Sequence, residues 1–238
     1  MTACWAPVPA GSASVAPDLE RMADFIVVET NALRAARGLG PVVRNGALAG
    51  AAQQFAAFMA RTERVAHDAD GAQPWERAAR YGYRYCIVAE NIAYQSLPRG
   101  VDTQSLALGF VSAWERSERH RENLLDPDVS DIGVAVRQGR PGRYYAVQML
   151  GRPASARIRF EVDNRTTENL SYTIDGRQYL LASGAMNLHE VCRRTADMAL
   201  MGRPDRQRAR DGERYVVRGQ EGRYRIDAGG AVGRPAPE

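Results

Sequence analysis

The chain has 238 residues, of which 45% are hydrophobic, and its 32 basic and 28 acidic residues give a formal net charge of +4. This length and apolar content allow one full hydrophobic core and a second small domain. The mild charge favours no class of partner. No apolar run is long enough to span a bilayer, so the sequence excludes a membrane-spanning helix and predicts a chain that is soluble or attached by its end.

Residues 1–17 are rich in small residues and proline, and this composition predicts a flexible leader. Its start, MTAC, is similar to the end of a bacterial lipoprotein signal, in which a cysteine follows small residues. The basic and apolar regions of such a signal are missing upstream. Two alternatives therefore stay open: the remnant of a signal with a lipid anchor at Cys4, or an accidental likeness.

Helical patterns follow the leader. Apolar residues recur at helical spacing from Asp18 onward, and Gly38 ends this run. Three further helices are predicted to begin at residues typical of a helix start: Asn45, Pro74 and Asp102. The second helix should end just before His67 and carry it into the following loop. The last leads to Ser117 and His120, which share a face if the turn between them stays helical.

Extended segments lie between and after these helices. Tyr83 to Tyr94 is predicted to be extended, and Ile132 to Val136 and Tyr144 to Leu150 are predicted strands. The loop RQGRPGR joins the last two strands and is rich in glycine and proline, so they should form an antiparallel pair.

Eight strings within this region occur in an order that resembles a known family: VETNALRAARGLGPV, NGALAGAAQQFAAFMA, VAHDADG, PWERAARYGYRYC, AENIAY, SAWERSERHRENLLDP, DIGVAV and YYAVQMLG. The family is the CAP superfamily of cysteine-rich secretory, antigen 5 and pathogenesis-related proteins, in its short bacterial SCP-like form. The resemblance covers residues 18–153. It implies an α+β fold, an α-β-α sandwich with a surface cleft, in a secreted or envelope-exposed protein.

The same resemblance implies a site. Larger members of the family have two histidines and two glutamates in the cleft, and His67, Glu90 and His120 match three of these four. The position of the second glutamate is Ser117 here, so Glu115 and Glu118 are the acidic residues that can reach the cleft instead. Two imidazoles and a carboxylate suit Zn²⁺ or another divalent metal.

Other roles for these side chains stay open. The imidazoles can transfer protons near neutral pH, or form a metal-free pair that only ties loops together. Ser117, His120 and Glu90 can also be interpreted as a hydrolase triad, although no GxSxG motif is present. Walker, Rossmann, HExxH and CxxC motifs are absent as well, so nucleotide, zincin and thioredoxin chemistry have no support.

Residues 154–238 have the pattern of a small β-rich domain. Ile158, Phe160 and Val162 alternate with charged residues, and Asp175-Gly176 predicts a two-residue hairpin turn. The stretch from His189 to Arg210 has a helical appearance and is rich in arginine. All 32 basic residues are arginine, so a cluster of arginines here can follow from the composition of the whole chain. Specific nucleic-acid binding is not expected.

Cys86 and Cys192 can form one disulfide between the two domains in an oxidising compartment, or remain two buried free thiols. Together these features predict an extracytoplasmic protein, secreted, periplasmic or envelope-anchored, that binds a small molecule, lipid, peptide or glycan in its cleft. Two other hypotheses remain. One is a metal-assisted or acid-base hydrolase of peptide or cell-wall material, and the other is a structural module whose β domain binds the partner.

Overall fold

The computed structural model describes residues 16–96, 102–202, 206–220 and 223–231. Almost all of the predicted leader, including Cys4, lies outside these residues. The chain divides into two compact units. The first unit is formed by the described residues of Met1–Tyr83, Ala89–Pro127 and Asp131–Leu150, and the second by those of Arg84–Val88, Asp128–Ser130 and Gly151–Glu238.

The described α-helices belong to the first unit: α1 (Leu19–Ala35), α2 (Gly46–Thr62), α3 (Pro74–Arg80), α4 (Thr103–Arg116) and α5 (Glu118–Leu125). The side chain of Asn45 accepts hydrogen bonds from the first backbone N–H groups of α2, and Asp102 does the same for α4. Both predicted N-caps are therefore confirmed. Pro74 opens α3, as predicted, because the first turn of a helix needs no N–H there.

The sheet of the first unit has the order β1-β3-β4-β2. Its strands are β1 (Val43–Arg44), β2 (Tyr85–Ser96), β3 (Asp131–Gln138) and β4 (Arg143–Pro153). The three predicted strands are confirmed, and β2 lies at an edge of the sheet. Helix α2 packs on β3 at Gly133, where an added Cβ would lie 2.2 Å from the backbone N of Ala49. The α-β-α sandwich is the fold that the sequence predicts.

The chain is not helical at Ser117. This residue is extended, with φ −86° and ψ 123°, and it separates α4 from α5. The turn between Ser117 and His120 is therefore not helical throughout, and the two residues do not share a helical face. The break at Ser117 ends α4, so His120 lies on a separate helix, α5.

The second unit is a β-sandwich. Its strands are β5 (Ile158–Asn164), β6 (Leu170–Ile174), β7 (Arg177–Leu181), β8 (Met186–Val191), β9 (Ala196–Leu200), β10 (Arg206–Ala209), β11 (Glu213–Gln220) and β12 (Arg223–Ala231). They form two sheets, β12-β11-β5-β8 and β10-β9-β6-β7. Residues of both sheets, such as Phe160 and Met198, share one buried core. The predicted hairpin is confirmed, with positive φ at both Asp175 (47°) and Gly176 (82°).

The prediction of a helical stretch from His189 to Arg210 is wrong, because its described residues form parts of β8, β9 and β10 and the turns between them. Ala196, Met198 and Leu200 are buried at every second position, which is the period of a strand. The arginine content of the stretch does not indicate whether its buried residues follow the period of a helix or of a strand. The packing of these residues into the sandwich core decides the structure.

Cys86 and Cys192 form a disulfide, with their Cα atoms 5.2 Å apart. The interpretation as two free thiols is therefore wrong. Both cysteines belong to the second unit, because Arg84–Val88 is part of it.

None of the helices in the described part of the chain has the length and apolar character needed to cross a bilayer.

Candidate functional site

His67 and Glu90 are in direct contact. His67 follows α2, Glu90 lies on β2, and Nδ1 of the imidazole is 2.8 Å from Oε1 of the carboxylate. The Glu90 side chain is 1% exposed, whereas that of His67 is 49% exposed. Because an ionised carboxylate only accepts, Nδ1 carries a proton and donates it, so the neutral form of this ring has its lone pair on Nε2.

Sequence reasoning missed Arg77, which binds the other oxygen of Glu90. Its Nη2 lies 2.7 Å from Glu90 Oε2, and its side chain is fully buried. An arginine on a short polar helix looks like part of a solvated surface. Pro74, Arg77 and Ala78 form the buried face of α3, but a helix of seven residues is too short for this spacing to stand out in the sequence.

Amide side chains hold α5 against β2. Asn91 donates to the backbone carbonyl of His120 at 3.2 Å and to Oε1 of Gln148 at 2.9 Å. Asn123 of α5 donates to Oδ1 of Asn91 at 2.8 Å and to the backbone carbonyl of Glu90 at 3.2 Å. These bonds fix the backbone of His120 beside the strand that carries Glu90.

The two imidazoles are electrostatic neighbours. The bond of His67 to Glu90, and the bonds of Asn91 and Asn123 between β2 and α5, hold the loop after α2 and helix α5 against the same strand. Burial lowers the pKa of His120 below its usual value, and repulsion from the His67 ring, where that ring is protonated, lowers it further. His120 is therefore neutral at pH 7, which is the form that accepts a hydrogen bond or coordinates a metal.

Three further candidates from the sequence are Glu115, Ser117 and Glu118. Among the described residues, their side chains form no hydrogen bond or ion pair with His67 or His120. Glu115 forms a surface ion pair with Arg37, at 3.4 Å. Glu118 is exposed in the first turn of α5. No hydrogen bond between Ser117 and His120 occurs among the described residues.

The donor set fits a metal only in part. Among the residues that the structure describes, no three His, Cys, Asp or Glu side chains are arranged to hold a metal ion. Both carboxylate oxygens of Glu90 already accept hydrogen bonds, from His67 and Arg77. The two imidazoles remain, which is half of a tetrahedral set of ligands.

Comparison with known proteins agrees with this fold. Residues 27–150 match the family model described as CAP, cysteine-rich secretory protein family. The uncharacterized protein YkwD of Bacillus subtilis is 30% identical over 129 residues, which are 53% of this chain and 46% of that protein. The chain thus spans less than half the length of this curated relative.

Solved structures also match this chain, at lower identity. An outer surface protein from Borrelia burgdorferi matches with a TM-score of 0.50 and 20% identity, over 57% of this chain and 96% of that one. An extracellular SCP-domain protein from Bacillus anthracis matches with a TM-score of 0.47 and 23% identity, over 56% and 41% of the two chains. At 20% identity, the match to the Borrelia protein shows a likeness of fold alone.

Proposed function

Because the chain belongs to the cysteine-rich secretory protein family through residues 27–150, we propose that it is an extracytoplasmic binding protein whose ligand contacts the imidazoles of His67 and His120. The observation that carries this proposal is the 2.8 Å bond between His67 Nδ1 and the buried Glu90. It fixes the ring proton on Nδ1 and makes Nε2 the nitrogen that is available to a ligand.

An extracytoplasmic location is supported by the Cys86–Cys192 disulfide, since such bonds persist in oxidising compartments and are rare in the cytosol. The description of the Borrelia protein as an outer surface protein points the same way.

The ligand that we propose to test first is Zn²⁺. Imidazole nitrogens are suitable ligands for a borderline divalent metal, and a metal-binding histidine usually donates its other ring N–H to a carboxylate or carbonyl oxygen. His67 would bind through Nε2 and His120 through one ring nitrogen, while Glu90 stays behind His67 as its hydrogen-bond acceptor. When bound, Zn²⁺ would supply a Lewis-acid centre with positions open to an oxygen of a further ligand.

Binding is better supported than hydrolysis. A general base must receive a proton from water or substrate, and for this its oxygen must be within hydrogen-bond reach of that group. The Glu90 side chain is 1% exposed, and its two oxygens accept from His67 and Arg77. Glu90 therefore acts best as the residue that orients His67.

Calorimetric titration of the full chain with Zn²⁺ tests the proposal. The unmodified protein should show saturable binding at one site, and His67→Ala and His120→Ala should each abolish it while the circular dichroism spectrum is retained. His189→Gln is the matched control, because it removes the third histidine, which lies in the second unit. It should bind like the unmodified protein.

Identical titrations for all four proteins would overturn the proposal. A melting temperature lowered in the His67 and His120 variants without any change in binding would instead favour the structural hypothesis, and it would direct ligand searches to the β-sandwich.

A further inference from the structure

Arg77 contacts both members of the His67–Glu90 pair. Its Nη2 donates to Oε2 of Glu90 at 2.7 Å and to the backbone carbonyl of His67 at 2.9 Å. One guanidinium nitrogen thus fixes the carboxylate and the chain that bears the imidazole at the same time. A displacement of this nitrogen would disturb both residues together.

The remaining contacts of Arg77 hold it rigidly. Nη1 donates to Oδ1 of Asp70 and to the backbone carbonyl of Ala72, both at 2.7 Å. The guanidinium carbon lies 3.7 Å from the centre of the Phe55 ring, which is a close cation–π contact. The side chain is 0% exposed, so water does not compete for these bonds.

The planar guanidinium of Arg77 pairs with two carboxylates. Arg77 lies between two carboxylates, those of Asp70 and Glu90, whose side chains are 11% and 1% exposed. A buried carboxylate without a partner is costly, and a guanidinium is suited to it because several fixed N–H groups donate at once. Arg77 donates to Oε2, so the carboxylate has Oε1 left to accept the N–H of His67.

We propose that Arg77 is a positioning residue that sets the tautomer of His67. By holding Glu90 Oε2, it turns Oε1 toward the imidazole. By holding the carbonyl of His67, it keeps Nδ1 within reach of that oxygen. The result is a single tautomer, with the proton on Nδ1 and the lone pair on Nε2. This inference deepens the proposed function, on which it rests for the role of Nε2.

The test is Arg77→Lys, with long-range proton–nitrogen NMR of the histidine rings at pH 8 in the absence of metal. A lysine ammonium is a point charge and cannot make all four bonds of the guanidinium. In the unmodified protein, the His67 ring should be the Nδ1–H tautomer alone. In the variant, it should be a mixture that includes the Nε2–H form. Zn²⁺ affinity should fall about 10- to 100-fold, as for other residues that orient a metal ligand.

Asp70→Asn is the matched control. It weakens a contact of the same guanidinium, at Nη1, but leaves the bonds of Nη2 to Glu90 and His67. If Arg77 acts only as a structural anchor, both variants should lose stability and both should keep the Nδ1–H tautomer. A folded Arg77→Lys protein with the unmodified tautomer would overturn the inference.

A second measurement applies if Arg77→Lys does not fold. In the unmodified protein, the Nη protons of Arg77 should give separate, slowly exchanging resonances, because the guanidinium cannot rotate while its bonds persist. A single averaged resonance would contradict the inference. Because tautomer and rotation are both measured without metal, they distinguish failure of this inference from failure of Zn²⁺ binding.

Discussion

Glu90 and His67 meet across the boundary between the protein interior and its surface. The carboxylate is 1% exposed, the imidazole that it binds at 2.8 Å is 49% exposed, and the bond joins strand β2 to the loop after α2. Strand β2 therefore orients the exposed imidazole from inside the protein. The exposed ring nitrogen of His67 takes its properties from the buried oxygen behind it.

Glu90→Gln should reverse the tautomer of His67 with little effect on the fold. The introduced amide must use its oxygen to accept from Arg77, so its NH₂ group faces His67. Nδ1 must then accept, and the ring proton moves to Nε2. We expect a loss of Zn²⁺ affinity of about 10- to 100-fold by calorimetry. An unchanged affinity in a folded variant would show that Glu90 does not orient the ring.

Gly133→Ala should destabilise the first unit strongly. An added Cβ would lie 2.2 Å from backbone atoms of Leu48 and Ala49, and no side-chain rotation can relieve contact with a backbone. Overpacking of this kind costs about 1–3 kcal/mol and sometimes more, and we expect the upper end of this range in urea unfolding.

Gly46→Ala is the control for this variant, because an added Cβ there meets no heavy atom within 4 Å at the start of α2. Its unfolding free energy should change by less than about 1 kcal/mol. Equal stability of the two variants would argue against close packing of α2 on β3.

Reduction of the Cys86–Cys192 bond should lower the stability of the second unit. The bond joins residues 106 apart in the chain, and closing a loop of this size stabilises a fold by about 4–5 kcal/mol in the chain-entropy model. The measurement is urea unfolding with and without dithiothreitol. The double variant Cys86→Ser/Cys192→Ser should be insensitive to the reductant, and the same insensitivity in the fully reduced unmodified protein would refute the prediction.

Acid should destabilise the β-sandwich through His189. Burial lowers the pKa of this histidine below 6.5. Asn187 donates to the Tyr172 hydroxyl at 2.9 Å, so the hydroxyl hydrogen is free to bind Nε2 of His189, 2.6 Å away. The ring is therefore neutral in the folded state, whereas the unfolded chain binds a proton below about pH 6.5. Stability is then fully present above this pH and falls as pH decreases.

The pH dependence of unfolding measures this effect. His189→Gln keeps an acceptor for Tyr172 and removes the titrating group, so its stability should fall less steeply between about pH 7 and pH 5. His120, whose pKa is also lowered, acts in the same direction in both proteins and cancels in the comparison. Parallel curves for the two proteins would exclude His189 as a source of acid sensitivity.

Local signals in the sequence predict local structure well. Asn45 and Asp102 cap helices because a short polar side chain bonds backbone N–H groups two or three residues away. Asp175-Gly176 forms its hairpin turn because both residues tolerate positive φ. These interactions depend on neighbours in the chain, so a single sequence is enough to find them.

Features that depend on distant residues are harder to predict. Arg77 is buried only because Asp70, Phe55 and Glu90 surround it, and no pattern within α3 fixes that arrangement. In the stretch from His189 to Arg210, the arginine content masks the alternation of β9, which becomes decisive only when the strand packs into the sandwich. His67, Glu90 and His120 are found through the family resemblance, which compares positions across the whole domain.

We propose that His67 and His120 act together as one binding pair, with the Nε2 atom of His67 available to the ligand. This proposal is tested most directly by nitrogen-15 NMR of the histidine rings in the full chain during a Zn²⁺ titration. We predict that Nε2 of His67 and one ring nitrogen of His120 shift together and saturate at the same Zn²⁺ concentration, while His189 does not change. The proposal would be contradicted if the rings of His67 and His120 stay unchanged, or if His67 loses its Nδ1–H proton on addition of Zn²⁺.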